Sequence, residues 1–246
     1  MRRILGNLLK INKIFPKMLE DNDRIAVGLS GGKDSLSLLL ALQAFAKKLN
    51  WKITIKAFLV HLDFNEQESY QQLENFLQQN KIDYEIVKSK ISQILNQHKK
   101  NDRIKCSFCS RMKKAIIVKK ALNQKFNKIA FGHHLDDAIE TLFMNLLNVG
   151  RIETFKPITY LSNNKIYLIR PFIFTREKEI TAFSKRQKLP VVVNKCPNNE
   201  TTQRFLIKQF LKKNFYRNTN WSNSYKSVAR AVKEKIIEWN RTKPII

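Results

Sequence analysis

Six consecutive residues, Ser30-Gly31-Gly32-Lys33-Asp34-Ser35, carry the plainest chemistry in the sequence. They follow a short apolar run, Arg24–Leu29, and open a stretch of helical spacing from Leu36 to Lys48. The glycine pair permits a tight turn with close backbone approach, and a helix start offers unpaired N–H groups and a positive dipole end. Lys33 adds a point charge, and Ser30 and Ser35 add hydroxyl donors. The ligand that suits all of these is a phosphate, held at the carboxyl end of a strand. Walker A does not fit, because Lys33 is followed by Asp34 rather than Ser or Thr. Gly28-Leu29-Ser30 likewise breaks the dinucleotide fingerprint. The spelling S-G-G-K-D-S after a buried strand instead implies a different phosphate loop.

The second group is Cys106-Ser107-Phe108-Cys109, with Cys196 far along the chain. Zinc, iron–sulfur and redox dithiols all use C-x-x-C spacing. Helical continuation places Lys113 one turn beyond Cys109, on the same face. Three soft thiolates can hold three irons of a cubane and leave the fourth open, whereas a structural zinc site normally has four closed ligands. Inert thiols, and zinc completed by a histidine or water, stay open as readings. The third group is Gly132-His133-His134-Leu135-Asp136-Asp137, where a strand gives way to a helix. Its aspartates suit a helix N-terminus. The i, i+4 pairs His133/Asp137 and Asp136/Glu140 also allow a hydrolytic metal cluster.

These residues need a scaffold, and the apolar patterning supplies one. Strands are expected at Arg24–Leu29, Ile53–Leu62, Tyr84–Val87, Lys128–Phe131, Ile166–Ile169 and Pro190–Val193. Helices are expected at residues 3–20, Leu36–Lys48, Gln67–Gln79, Cys106–Asn123 (with Met112, Ala115, Val118 and Leu122 inward), Leu135–Leu147 (with Ile139, Leu142, Phe143 and Leu146 inward), Thr175–Lys188 and Val228–Trp239. This alternation predicts an α/β fold, a doubly wound and mostly parallel sheet with helices on both faces, followed by a helical C-terminal extension. The expected division is a helical lead at 1–22, an α/β domain at 23–194 that carries the phosphate loop, and a basic extension at 195–246 that carries Cys196.

The 246 residues hold 46 Lys+Arg against 20 Asp+Glu, a formal charge of +26, with 43% hydrophobic residues. That apolar content excludes intrinsic disorder. The longest nearly apolar stretch, Leu36–Ala46, is about half of the ~20 residues that span a bilayer. The N-terminal MRRILGNLLKINKIF interrupts its apolar residues too often for a signal-peptide core. A cytoplasmic protein without a membrane partner is expected. Lysine supplies 33 of the 46 cations, in part a trait of an A/T-rich genome. The scarcity of carboxylates points further, to a polyanionic partner, with nucleic acid favoured over membrane. Arg204, Lys208 and Lys212 recur every four residues on one helix face, with Lys213 and Arg217 nearby, and are the expected contacts to nucleic-acid phosphates. Phe205, Phe210 and Leu211 are expected to pack toward the sheet.

SGGKDS at 30–35 resembles the PP-loop of the ATP pyrophosphatases, which split ATP between the α and β phosphates. Four further elements follow in order: CSFCSR at 106–111, FGHHLDDAIETLFMN at 131–145, IRPFIFTREKEI at 169–180 and CPNNETTQR at 196–204. From Arg24 to about Tyr216 the chain is similar to the tRNA 2-thiocytidine synthetase family. The resemblance implies ATP-dependent 2-thiolation of a cytidine, at position 32 of the anticodon loop. It implies a [4Fe–4S] cluster on Cys106, Cys109 and Cys196. It also implies ATP and Mg²⁺ at Ser30, Gly31, Gly32, Lys33, Asp34, Ser35, Gly132 and His133, with Lys113, Asp137 and Asp34 at the reacting centre. Its partners would be tRNA and a sulfur donor, either a cysteine desulfurase or free sulfide, and a homodimer is compatible with it. Val193 stands where the family often has another cysteine, and DFNEQESY at 63–70 replaces a Gln-rich, Pro-Gly loop. The zinc-ribbon ends of the thiouridine branch are missing, which favours the cytidine branch. The rival within the superfamily is a 2-thiouridine synthetase or a lysidine-synthetase-like ligase with a structural metal. The rival outside it is an inactive RNA-binding protein.

Overall fold

The computed structural model describes residues 1–61, 67–97, 106–192, 196, 202–216 and 223–242. Six strands form one sheet in the order β3-β2-β1-β4-β6-β5. They are β1 (Arg24–Leu29), β2 (Thr54–His61), β3 (Asp83–Lys88), β4 (Lys128–Ala130), β5 (Ile158–Leu161) and β6 (Ile166–Ile169). All neighbours pair in parallel except β5 and β6. The chain leaves β1 toward β2 and β3, then returns to lay β4 and β6 on the other side. The end of β1 is therefore the point where the strand order reverses, the usual ligand position in such sheets.

The helices are α1 (Arg2–Ile14), α2 (Lys33–Leu49), α3 (Gln67–Gln79), α4 (Ile91–Gln97), α5 (Cys106–Asn123), α6 (Leu135–Val149), α7 (Glu177–Arg186), α8 (Gln203–Leu211) and α9 (Ser224–Thr242). Successive side chains of β1 point to opposite faces, so Ile25, Val27 and Leu29 enter one core while Ala26 enters the other. The first core is closed by α1, α2 and α7, among others. The second lies beneath α4 and α5 through Ile91, Leu95, Ile117, Val118 and Ala121. In α1 the buried Ile4, Leu8 and Ile11 fall on one stripe. That helix ends at Ile14 rather than running to 20, because Pro16 supplies no N–H and starts a single 3₁₀ turn.

Several expectations change. Residues 190–192 form no strand; the Val192 N–H instead donates to the Gly31 carbonyl at 3.0 Å, and Val193 lies outside the described residues. Strand β5 and the short helix α4 add to the expected set. On α5 the buried face is Ile117, Val118 and Ala121, while Ala115 is exposed. At the end of α6, Leu146 is 46% exposed, as is Phe210 on α8. Arg217 falls outside the described residues.

Lys128 on β4 is fully buried, with Nζ 2.7 Å from buried Asp23 and 2.8 Å from Glu20. It ties β4 to the turn before β1. Removing one member of a buried pair strands the other charge, so Lys128→Ala is expected to cost about 3–5 kcal/mol. Urea denaturation would read this as a lower midpoint at unchanged slope.

Candidate functional site

The phosphate loop sits between β1 and α2 as the sequence expects. Gly31 has φ +77°, a left-handed conformation that a side chain would strain, and a Cβ there would stand 2.8 Å from Val192. Gly32 occupies the N-cap position of α2 without a side-chain cap, so the first N–H groups of that helix face the loop. Ser35 fixes the turn: its Oγ accepts from the Ser30 N–H at 3.2 Å and donates to the Gly32 carbonyl at 3.0 Å. Across the loop, a Cβ on Gly132 would lie 2.9 Å from the Asp34 carbonyl carbon and 3.0 Å from the Ser35 nitrogen. Glycine at 132 is what lets the β4–α6 connection close on the loop backbone.

Lys33 bridges two carboxylates, Asp34 at 2.7 Å and Glu177 at 3.1 Å. Burial would lower its pKa, but Asp34 and Glu177 outweigh burial and raise it, so the ammonium is firmly held. Glu177 also receives Lys208 at 2.8 and 2.9 Å. Burial opposes its ionisation, yet Lys208 and Lys33 prevail and hold its pKa down to about 2. The Glu177 N–H donates to Asp136 at 2.6 Å, which joins the start of α7 to the start of α6.

His134 and Asp137 form a reciprocal cap on α6. The His134 N–H donates to Asp137 Oδ2 at 3.0 Å, and the Asp137 N–H donates to His134 Nδ1 at 3.3 Å. One turn on, buried Glu140 meets Arg204 at 3.1 Å. Burial and the neighbouring Asp137 raise the Glu140 pKa to about 7, against the opposing pull of Lys208 and Arg204. Arg204 also donates to the Asp137 carbonyl at 3.3 Å and to Thr141 Oγ1 at 2.9 Å. The expected tail cations therefore divide. Arg204 and Lys208 turn inward onto carboxylates of the site, while Lys212 is exposed.

A cavity of about 600 Å³ opens at these strand ends, bordered by Ser30, Asp34, Lys113, Asp137, His133 and Arg170. The loop, the α5 lysine and the α6 aspartate, all expected in one place, border this single space. His133 turns its ring toward Phe155, with centroids 4.6 Å apart, and its Nδ1 is buried without a partner. Burial, then Arg170, hold its pKa down to about 4, so the imidazole is neutral near pH 7. Arg170 also lies over the Phe155 ring, 5.0 Å from its centroid, and burial lowers its pKa to about 10.

Beside this cavity, at the first turns of α5, stand Cys106 and Cys109. Cys109 and Cys196 are half-buried and Cys106 is exposed; none is in a disulfide. Burial raises the Cys109 pKa, Lys113 opposes, and Cys196 and Cys106 each add to the rise. Three soft donors beside a cation suit a thiolate-bound metal centre in chemistry. Among the described residues, no three of His, Cys, Asp or Glu already stand in a metal-holding group. The i, i+4 pairs of α6 do not form the hydrolytic cluster that their spacing allowed: Asp136 holds the Glu177 N–H, Glu140 holds Arg204, and His133 faces Phe155. Glu177 is the site residue that sequence reasoning missed. It lies within the element IRPFIFTREKEI at 169–180, next to the Arg176–Glu179 capping pattern that starts α7.

Known proteins give the same picture. The chain matches the PP-loop domain family over residues 7–215. The tRNA-cytidine(32) 2-sulfurtransferase of Idiomarina loihiensis is 36% identical over 197 residues, 79% of this chain and 65% of that protein. The same-named protein of Ralstonia nicotianae is 33% identical over 79% of this chain and 62% of its own length. The chain thus spans just under two thirds of these two relatives. For Coxiella burnetii the identity is 33% and the match covers 79% of this chain and 76% of the relative. Among solved structures, the U34-tRNA thiolase NcsA of Methanococcus maripaludis with its [4Fe-4S] cluster superimposes with a TM-score of 0.73 at 21% identity. That superposition covers 96% of this chain and 79% of NcsA, a likeness of fold. Among the described residues, no helix is long and apolar enough to cross a membrane. With 209 of its residues inside one domain family and a third of the matched positions identical to the named relatives, the chain belongs to the PP-loop family and, within it, to the tRNA-cytidine(32) 2-sulfurtransferases.

Proposed function

We propose that this protein uses ATP to replace the 2-oxygen of a tRNA cytidine with sulfur. The observation that carries the reading is one cavity bordered by the phosphate loop, Lys113 and Asp137, with Cys109 one turn before Lys113 on the same helix. In the proposed reaction the cytidine O2 attacks the α-phosphorus of ATP. The bond to the β-phosphate oxygen breaks, and pyrophosphate leaves with the electron pair. Hydrosulfide then attacks C2, the C2–O bond breaks, and AMP leaves.

Each residue has a physical task in this scheme. The loop amides and Lys33 stabilise charge that builds on the departing pyrophosphate. Lys113 borders the cavity one turn beyond Cys109, where it neutralises the phosphate of the adenylated base and of departing AMP. Mg²⁺ enters with ATP, and Asp34 and Asp137 offer it carboxylate oxygens. Gly132 keeps the loop close, so Ser30, Ser35 and the α2 amides converge on the phosphates. Cys106, Cys109 and Cys196 are the residues that would hold a [4Fe–4S] cluster, which when bound supplies an open iron for sulfur from a cysteine desulfurase or free sulfide. Arg204 and Lys208 hold Glu140 and Glu177 in place around the loop. Family membership favours cytidine over uridine as the target base.

The test is nucleoside mass spectrometry of unmodified tRNA incubated with ATP, sulfide and anaerobically reconstituted protein. Cytidine with one oxygen exchanged for sulfur is expected only when ATP is present. Thiolated uridine, or cytidine extended by an amine, would refute the reading.

A further inference from the structure

Arg204 and Lys208 are engaged with Glu140 and Glu177, whereas α5 offers a set of cations without such partners. Its 18 residues, CSFCSRMKKAIIVKKALN, include five cations and no carboxylate. Lys120 is paired with Glu85 at 2.8 Å, and Lys113 attends Cys109. The other three, Arg111, Lys114 and Lys119, have no carboxylate partner among the described residues, and Arg111 and Lys119 are exposed. They rim a groove of about 410 Å³ floored by Ala115, Val118, Leu122 and Leu161. Ala115, Val118 and Leu122 belong to the apolar stripe read from the sequence, and Leu161 joins them from β5.

The groove leads into the site. Lys114 borders both the groove and the reaction cavity, and Arg170 stands close enough to depress the Lys114 pKa, after burial itself. Arg170 has no carboxylate partner among the described residues either. Its Nη1 donates to the Lys156 carbonyl at 2.6 Å, and its Nε is buried without a partner. A guanidinium in that state gains from a charged acceptor delivered to it.

We infer that the outward face of α5, from Lys119 through Arg111 to Lys114, with Arg170 at its inner end, is a phosphate track that seats the single-stranded part of the acceptor RNA. Lys119 and Arg111 are eight positions apart, about 12 Å along the helix, which spans more than one phosphate of an extended strand. Unpaired cations in a row, an apolar floor for riboses and base faces, and an inner end at the reacting centre all suit a strand that delivers its base inward. An acidic protein segment would match the rim but has no reason to reach Arg170. The inference rests on the proposed activity for the identity of the RNA, not for the existence of the track.

The test is equilibrium binding of unmodified tRNA to the full chain across a salt series, without ATP or sulfur. Every single-strand phosphate that a cation ceases to neutralise lowers the slope of log affinity against log salt by about 0.7, so Arg111→Gln with Lys119→Gln should lower it by about 1.4. Lys47→Gln with Lys48→Gln, an equal charge change at the exposed end of α2 on the opposite face, should leave it unchanged. If the double α5 variant loses ATP affinity through misfolding, Lys119→Glu alone, two turns further from the site, gives the same reading. An unaltered slope overturns the inference, as does an equal fall in the α2 control. Tighter binding of poly-glutamate than of a single-stranded oligonucleotide of equal charge also overturns it, in favour of an acidic protein. A parent protein that binds tRNA with the expected slope yet thiolates nothing would refute the proposed activity and leave the track standing.

Discussion

Lys33→Ala is expected to cut tRNA-dependent pyrophosphate release by about 10²–10³-fold, the usual loss when one preorganised charge is removed from a phosphate or oxyanion site. Lys33 is the loop's only ammonium. In the resting structure it is shared between Asp34 and Glu177, and Glu177 is shared in turn with Lys208. ATP phosphates take over contacts that these carboxylates make beforehand, so the lysine is already oriented when nucleotide arrives. The substitution leaves the core intact, because Lys33 is partly exposed and Glu177 keeps Lys208. The sheet should stay folded, with an unchanged melting transition. Pyrophosphate release by the variant at the parental rate would show that the loop does not hold the phosphates.

The second large effect concerns the thiols. Cys106→Ala, Cys109→Ala and Cys196→Ala should each abolish thiolation and lose bound iron, while ATP affinity holds. A cluster with three protein ligands has none to spare, whereas the cavity proposed for ATP is bordered by Ser110 and Lys113 rather than by the cysteines. Iron and acid-labile sulfide in anaerobically prepared protein, measured beside ATP binding, separates the two functions. Stoichiometric zinc without iron in the parent protein would end the sulfur-delivery scheme.

How much of this is legible in the sequence depends on how far apart the deciding residues lie. The phosphate loop is local: a buried strand, two glycines and a helix start lie within a dozen residues, and the structure places them as spelled. The alternation that predicts a parallel sheet is also local, element by element. On α5, Met112, Val118 and Leu122 meet the core as expected and only Ala115 does not, because apolar residues occur nearly all round that helix and periodicity cannot choose between Ala115 and Ile117. The Val-rich run after Pro190 has strand propensity, yet it meets the Gly31 carbonyl instead of a strand edge. Edge strand β5 pairs antiparallel with β6, an addition that the strand–helix alternation does not announce. The regular spacing of Arg204 and Lys208 suggests a solvent-facing charge stripe. Their partners Glu140 and Glu177 lie 64 and 31 residues away, and only the fold brings them together.

The most direct test of the central claim is the stoichiometry of one reaction, AMP formed against thiocytidine formed, in a mixture of reconstituted protein, ATP, sulfide and unmodified tRNA. The account predicts one AMP and one pyrophosphate for each cytidine thiolated, with neither product when tRNA is left out. Formation of ADP and phosphate, or thiolation that proceeds without ATP, would contradict it.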